Sequence, residues 1–353
     1  MTLQELLNSR NLPSIDFPAT ATGWWHRHME LQQLLCREAY GQLPPLPSHL
    51  SVQEVTVDER FCAGKAPLCK LKLTVTLPGG TFSFPVSLVI PRSKKPCPAI
   101  VLINFRPAVP DKYLPSEELA DRGYAVASFC YRDITEDNSD FHDGLAGALG
   151  IDRTAPDASG KLILWAWAAM RVLDHLRTLP QIDPRRIAVA GHSRLAKSAL
   201  LAAGLDTRFW AVLANEPGTL GGALLRGKKG EQLEDVLENF PHFFCPRLAD
   251  YLQQEWEMPF DQHFLLALIA PRKLYVASAE LDFWNDPPSE FLCCKAADVA
   301  WQALGVSGLL CPDRLPKVGD VFAQGSLAYH LRPGEHYLSR YEWNQFLDFL
   351  EST

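Results

Sequence analysis

From residue 99 onward, short apolar runs recur, and most of them are followed by a segment at helical spacing. Residues 99–105 and 124–130 read as strands buried on both faces, with a helix at 116–122 between them that ends at Gly123. Residues 161–179 form a strongly apolar helix whose Trp165 and Trp167 read as core packing. Strand-like runs at 186–191, 210–215, 272–279 and 327–331 follow, with a helix at 194–203 and a last one near 341–350. Such alternation predicts a mainly parallel sheet wrapped by helices on both faces, a three-layer αβα sandwich.

Ahead of this, residues 71–77 and 82–90 alternate as strands around the turn Pro78-Gly79-Gly80, so a β-hairpin is expected to begin the sheet. Met29, Leu31, Leu34, Leu35 and Ala39 place an apolar stripe on a helix over 27–40. Residues 133–159 are rich in Asp, Gly and Pro without a period, the signature of a long site-shaping loop. Although 353 residues suggest roughly two domains by length, there is no repeat or linker. The expectation is an amino-terminal helical flank, 1–48, and a single catalytic domain, 49–353.

Charge narrows the partners. Thirty-four Lys and Arg against 41 Asp and Glu give a net charge of −7, without the basic footprint that nucleic acid requires. The apolar stretch 162–170 is cut by Arg171, too short to cross a bilayer. Neither nucleic acid nor membrane is expected as a partner. Nine cysteines without a C-x-x-C pair read as buried thiols rather than a disulfide or metal framework. The start of the chain carries Glu5 and lacks a basic-then-apolar leader, so a cytoplasmic location is expected, or secretion if a leader has been removed.

The chemistry is concentrated at Gly191-His192-Ser193-Arg194-Leu195-Ala196-Lys197, a serine between a buried strand and a helix. A sharp turn there pushes the hydroxyl out at the carboxyl edge of the sheet and aims helix-start amides at a developing oxyanion. The generic G-x-S-x-G pattern is broken at Leu195. A triad of the α/β-hydrolase order needs an acid and then a histidine on later loops. Glu216 follows one strand and Asp282 another, and His336 lies in the loop Arg332-Pro333-Gly334-Glu335-His336, whereas His330, inside the strand, reads as structural. No H-E-x-x-H, G-x-x-x-x-G-K-[ST] or G-x-G-x-x-G motif is present, so neither a metal nor a nucleotide cofactor is expected.

The heptad of residues at 191–197 resembles the G-[CH]-S-R-x-G-K signature of the glucuronoyl esterases of carbohydrate esterase family 15. The resemblance extends through Asp206-Thr207-Arg208-Phe209, Phe240-Pro241-His242, Pro259-Phe260-Asp261-Gln262-His263 and Ala267-Leu268-Ile269-Ala270-Pro271-Arg272. It implies an α/β-hydrolase fold with Ser193 as nucleophile, His336 as base and Arg194 assisting the oxyanion. It also implies that Lys197 hydrogen-bonds sugar hydroxyls and that Trp284 contacts the uronic acid. The family places its acid at either of two positions, which match Glu216 and Asp282. Glu216, in Asn215-Glu216-Pro217-Gly218, is ranked as the principal orienting acid and Asp282 as supporting. Two departures stand out: Ala196 replaces the motif glycine, and Phe105-Arg106-Pro107 is not a recognisable second oxyanion loop.

The reading is therefore a cofactor-independent serine esterase cleaving esters of glucuronic or 4-O-methyl-glucuronic acid in plant-glycan fragments, with a small-molecule or oligosaccharide ester as partner. An acetyl xylan esterase, or another carbohydrate acyl esterase, is the alternative with the same chemistry. A carbohydrate-binding protein with a vestigial triad is the alternative without it.

Overall fold

Ten strands form one sheet in the computed structural model, which describes residues 2–18 and 21–352. They are β1 (His49–Asp58), β2 (Leu68–Leu77), β3 (Gly80–Val89), β4 (Cys97–Asn104), β5 (Ala125–Cys130), β6 (Ile182–His192), β7 (Ala211–Asn215), β8 (Lys273–Ala279), β9 (Val321–Phe322) and β10 (Leu327–Arg332). Their spatial order is β1-β2-β3-β5-β4-β6-β7-β8-β10-β9. The strands from β5 across to β10 pair in parallel, while β1, β2 and β3 on one side and β9 on the other pair antiparallel.

The parallel strands are apolar along most of their length because each is covered twice; at the start of β6, Pro184, Arg185 and Arg186 are exposed. In β4, Ala99, Val101 and Ile103 face one core while Ile100 and Leu102 face the other, as the two-residue period of a strand requires. On the first side lie the helices Lys161–Leu176 and Arg194–Leu205, the former bringing the fully buried Trp165 and Trp167. On the second lie Ser116–Asp121 and Arg340–Glu351, which bring Leu119, Trp343, Phe346 and Phe349. Both tryptophans spend their indole N–H groups on backbone carbonyls, Thr135 and Pro45, consistent with a core role.

The hairpin forms where expected, with Leu77 paired to Gly80 across Pro78-Gly79. The start of the sheet does not. A further strand, β1, precedes the hairpin and pairs with β2. It is an edge strand, with Leu50 and Val52 half-buried and Gln53, Glu54 and Val55 exposed, so it lacks the apolar run that marks a doubly covered strand. The region 133–159 is also not wholly loop, since Gly144–Leu149 is a short helix. The flank helix Ala21–Leu35 continues as a π-helical turn, Cys36–Tyr40, and Leu31, Leu35 and Tyr40 join the first core. Among the described residues, no helix is long and apolar enough to cross a membrane.

Candidate active site

Strand β6 lies inside the sheet between β4 and β7, and Ser193 is the first residue past its carboxyl end. Its backbone adopts φ 58° and ψ −130°, a strained turn for a residue with a side chain. The Ser193 amide donates to the Asn215 carbonyl at 2.9 Å, tying the turn to β7. Gly191 is required here: a Cβ on it would lie 2.1 Å from the Leu195 carbonyl oxygen. Ala196, in place of the motif glycine, is fully buried and still donates its amide to the Ser193 carbonyl at 2.9 Å. No side chain caps the start of the helix Arg194–Leu205, so its positive end faces the serine.

His336 meets two carboxylates at one nitrogen. Nδ1 lies 2.7 Å from Asp282 Oδ2 and 3.0 Å from Glu216 Oε2. Burial opposes protonation of the ring, but the hydrogen bonds and charges of these acids win and push His336 up to about 9. The acids differ in environment. Burial raises Glu216 to about 7, whereas Asp282, despite burial, is held below the usual carboxylate range by His336 and by Asn285, which donates to it at 2.6 Å. Glu216 also receives Arg332 at 3.0 Å and the Tyr337 amide at 2.9 Å. The neighbouring His192 ring, 4.5 Å from that of His336 between centroids, is pushed down to about 3 by burial and by the His336 charge. It therefore stays neutral.

Arg194 leaves the same turn on the other side. Its guanidinium pairs with Asp137 and stacks on Phe240 and Phe243, 4.9 and 5.3 Å from their ring centroids. Asp137 in turn meets His242 Nε2 at 3.0 Å and accepts the Tyr131 hydroxyl at 3.0 Å, so the arginine is held by a buried polar cluster. Ser193, Arg194, His336 and Asp282 open into a cavity of 260 Å³ that Lys197, Glu231, Trp284 and three phenylalanines, Phe240, Phe243 and Phe244, help to line. Lys197 is buried, with its ammonium on the carbonyls of Pro217 at 2.7 Å and Thr219 at 2.6 Å. The half-exposed Trp284 donates its indole N–H to Glu231 at 3.2 Å.

The family model described as "Glucuronyl esterase, fungi" matches residues 73–305. The chain belongs to the glucuronoyl esterase family. A carbohydrate esterase of an unidentified prokaryote is 36% identical over 67% of this chain and 55% of its own length. A 4-O-methyl-glucuronoyl methylesterase of Hypocrea jecorina is 31% identical over 80% of this chain and 58% of its own length. The chain thus spans little more than half of these curated relatives. Among solved structures, a glucuronoyl esterase from Solibacter usitatus superposes with a TM-score of 0.89 at 30% identity, over 97% of both chains. The α/β-hydrolase fold expected from the sequence is shared with these glucuronoyl esterases.

In this chain, six of the seven residues singled out by sequence line one cavity: Ser193, Arg194, Lys197, Asp282, Trp284 and His336. Glu216 sits behind His336, almost fully buried. The sequence reading ranks Glu216 ahead of Asp282; both reach Nδ1, and the shorter contact is that of Asp282. His330 is buried with Nδ1 2.9 Å from the Tyr275 hydroxyl, a structural position as expected. Among the described residues, His192, Glu216 and His336 also bring potential metal-ligand atoms within 4.8 Å of one another; the Nδ1 atoms of the two histidines already face Asn215 and the two acids. The Phe105 amide donates to the Asn104 side chain at 2.8 Å and is not offered to the cavity. Glu231 and Asp137 escape sequence reasoning, since each lies among other acids in an irregular segment with no motif to single it out. Phe240 and His242 are visible only as part of the resemblance.

Proposed function

We propose that the protein hydrolyses esters formed on the carboxyl group of glucuronic acid or its 4-O-methyl derivative. The observation that carries this reading is the composition of the cavity at Ser193. A methyl-sized acyl group needs only a small apolar pocket, whereas this cavity adds Lys197, Glu231 and Trp284, residue types that hydrogen-bond sugar hydroxyls, to its three phenylalanines.

The chemistry follows from the positions of the groups. His336 Nε2, with Nδ1 held by Asp282 and Glu216, takes the Ser193 proton as Oγ attacks the uronate carbonyl carbon. The carbonyl π pair moves to oxygen, and the resulting anion meets Arg194 and the helix-start amides. Collapse breaks the bond to the alcohol oxygen, which leaves with the proton from His336. Water, deprotonated by His336, then attacks the glucuronoyl-Ser193 carbonyl carbon; collapse breaks the bond to Ser193 Oγ, which takes the proton back from His336, and the freed uronic acid ionises to its carboxylate. Asp282 and Glu216 keep the imidazolium stable throughout without accepting its proton.

A panel of esters with separately varied acid and alcohol halves tests this. Methyl and benzyl glucuronates are expected to be cleaved well and acetylated xylosides poorly. Preference for the acetates would reverse the assignment of the pocket to the acyl half.

A further inference from the structure

Arg332, the last residue of β10, is 8% exposed and makes no contact with the cavity at Ser193, yet its guanidinium reaches every side of the loop that carries His336. Nη2 donates to the carbonyls on both flanks of the histidine, Glu335 at 2.9 Å and Tyr337 at 2.6 Å, and to Glu216 Oε1 at 3.0 Å. Nη1 donates to the Pro333 carbonyl at 3.0 Å, and Nε pairs with the fully buried Glu342. Glu342 belongs to the helix Arg340–Glu351 and accepts the Ser339 amide and hydroxyl, both at 2.6 Å, at the far end of the same loop. Glu216 closes the ring by accepting the Tyr337 amide.

We propose that Arg332 is a positioning residue for the base, clamping loop 333–339 between Glu216 and Glu342 so that the His336 ring is presented to Ser193. The proposal rests on the serine-esterase reading above. The loop turns at Gly334 with φ 102° and is also tied by Asn215 to the Tyr337 carbonyl at 3.1 Å and by the Leu281 amide to the Gly334 carbonyl at 2.9 Å. Among the described residues, however, Arg332 alone donates to the carbonyls on both sides of His336, and a base misplaced by about 1 Å loses on the order of 10²-fold in rate. The planar fork of an arginine supplies five donors in fixed directions. A lysine ammonium has three and cannot serve two carboxylates and three carbonyls together.

The test compares Arg332→Lys, Glu342→Gln and Ser193→Ala with the parent on methyl glucuronate. Because no sugar-facing residue is touched, both clamp variants are expected to lower kcat, by roughly tenfold or more for Arg332→Lys and less for Glu342→Gln, with KM within about twofold. The downfield proton resonance of the His336 Nδ1–H is expected to broaden or move in both while the rest of the protein stays folded. Parent-like kcat and an unmoved resonance in Arg332→Lys would overturn the clamp. So would a loss that tracks unfolding in Arg332→Lys and is absent from Glu342→Gln. Ser193→Ala separates the two readings: full activity there sinks the esterase mechanism itself, whereas an inactive Ser193→Ala beside a parent-like Arg332→Lys sinks only the clamp.

Discussion

Nδ1 of His336 stands 2.7 Å from Oδ2 of Asp282, and that carboxylate stays ionised while its neighbour Glu216 is raised to about 7. Near neutral pH, Asp282 therefore bears the fuller negative charge beside the base. Asp282→Asn is expected to reduce kcat on the order of 10³-fold, and Glu216→Gln by less. Because both act on one nitrogen, the double variant should fall short of the product of the two losses. Steady-state rates of the three variants decide the order; a larger loss in Glu216→Gln would restore the ranking that the sequence suggests.

The same contacts set the pH profile. His336 must be neutral to accept the Ser193 proton, and its two acids raise it from 6.5 to about 9, so kcat/KM should climb with pH along a limb governed by this ring. Asp282→Asn removes one raising partner. Its limb is expected to shift to lower pH even as the maximum falls, and a limb unmoved in the variant would assign it to another group. Linkage runs the same way for stability: the native-state preference for protonated His336 is fully expressed below 6.5 and is lost as pH rises through about 9.

The strand-helix alternation, the Ser193 turn and the His336 loop were legible because each depends on residues close in sequence. Gly191 and Ser193 lie in one turn, and β4, β5, β7 and the second half of β6 show their double burial as apolar runs. Strand β1 was not, because an edge strand keeps Gln53 and Glu54 in solvent and shows no such run. Nor was the Arg194 cluster: Asp137 reaches the arginine across 57 residues from a segment with no period. Two candidate acids appear in sequence, but their unequal charge depends on the burial of Glu216 and on Asn285 beside Asp282, which only the folded chain provides.

Asp137 holds the arginine that the proposed mechanism sets against the developing oxyanion, so its neutral isostere should act through Arg194. Asp137→Asn is expected to lower kcat by roughly tenfold with little change in KM, and Arg194→Met by on the order of 10²-fold. Combining the two should cost no more than Arg194→Met alone. Additive losses in this cycle would separate Asp137 from the arginine.

Trp284 is 52% exposed, so its removal tests the sugar contact without disturbing the core. Trp284→Ala is expected to raise KM for methyl glucuronate several-fold and to leave the thermal midpoint in place. By contrast, Gly191→Ala drives a methyl group against the Leu195 carbonyl and should destabilise the fold by about 1–3 kcal/mol, visible as a lowered denaturant midpoint.

Methanol release from methyl 4-O-methyl-glucuronate, by the parent and by Ser193→Ala side by side, bears most directly on the whole account. Steady release by the parent and none above buffer from the variant is the predicted result. No release by the parent, or equal release by Ser193→Ala, would contradict it.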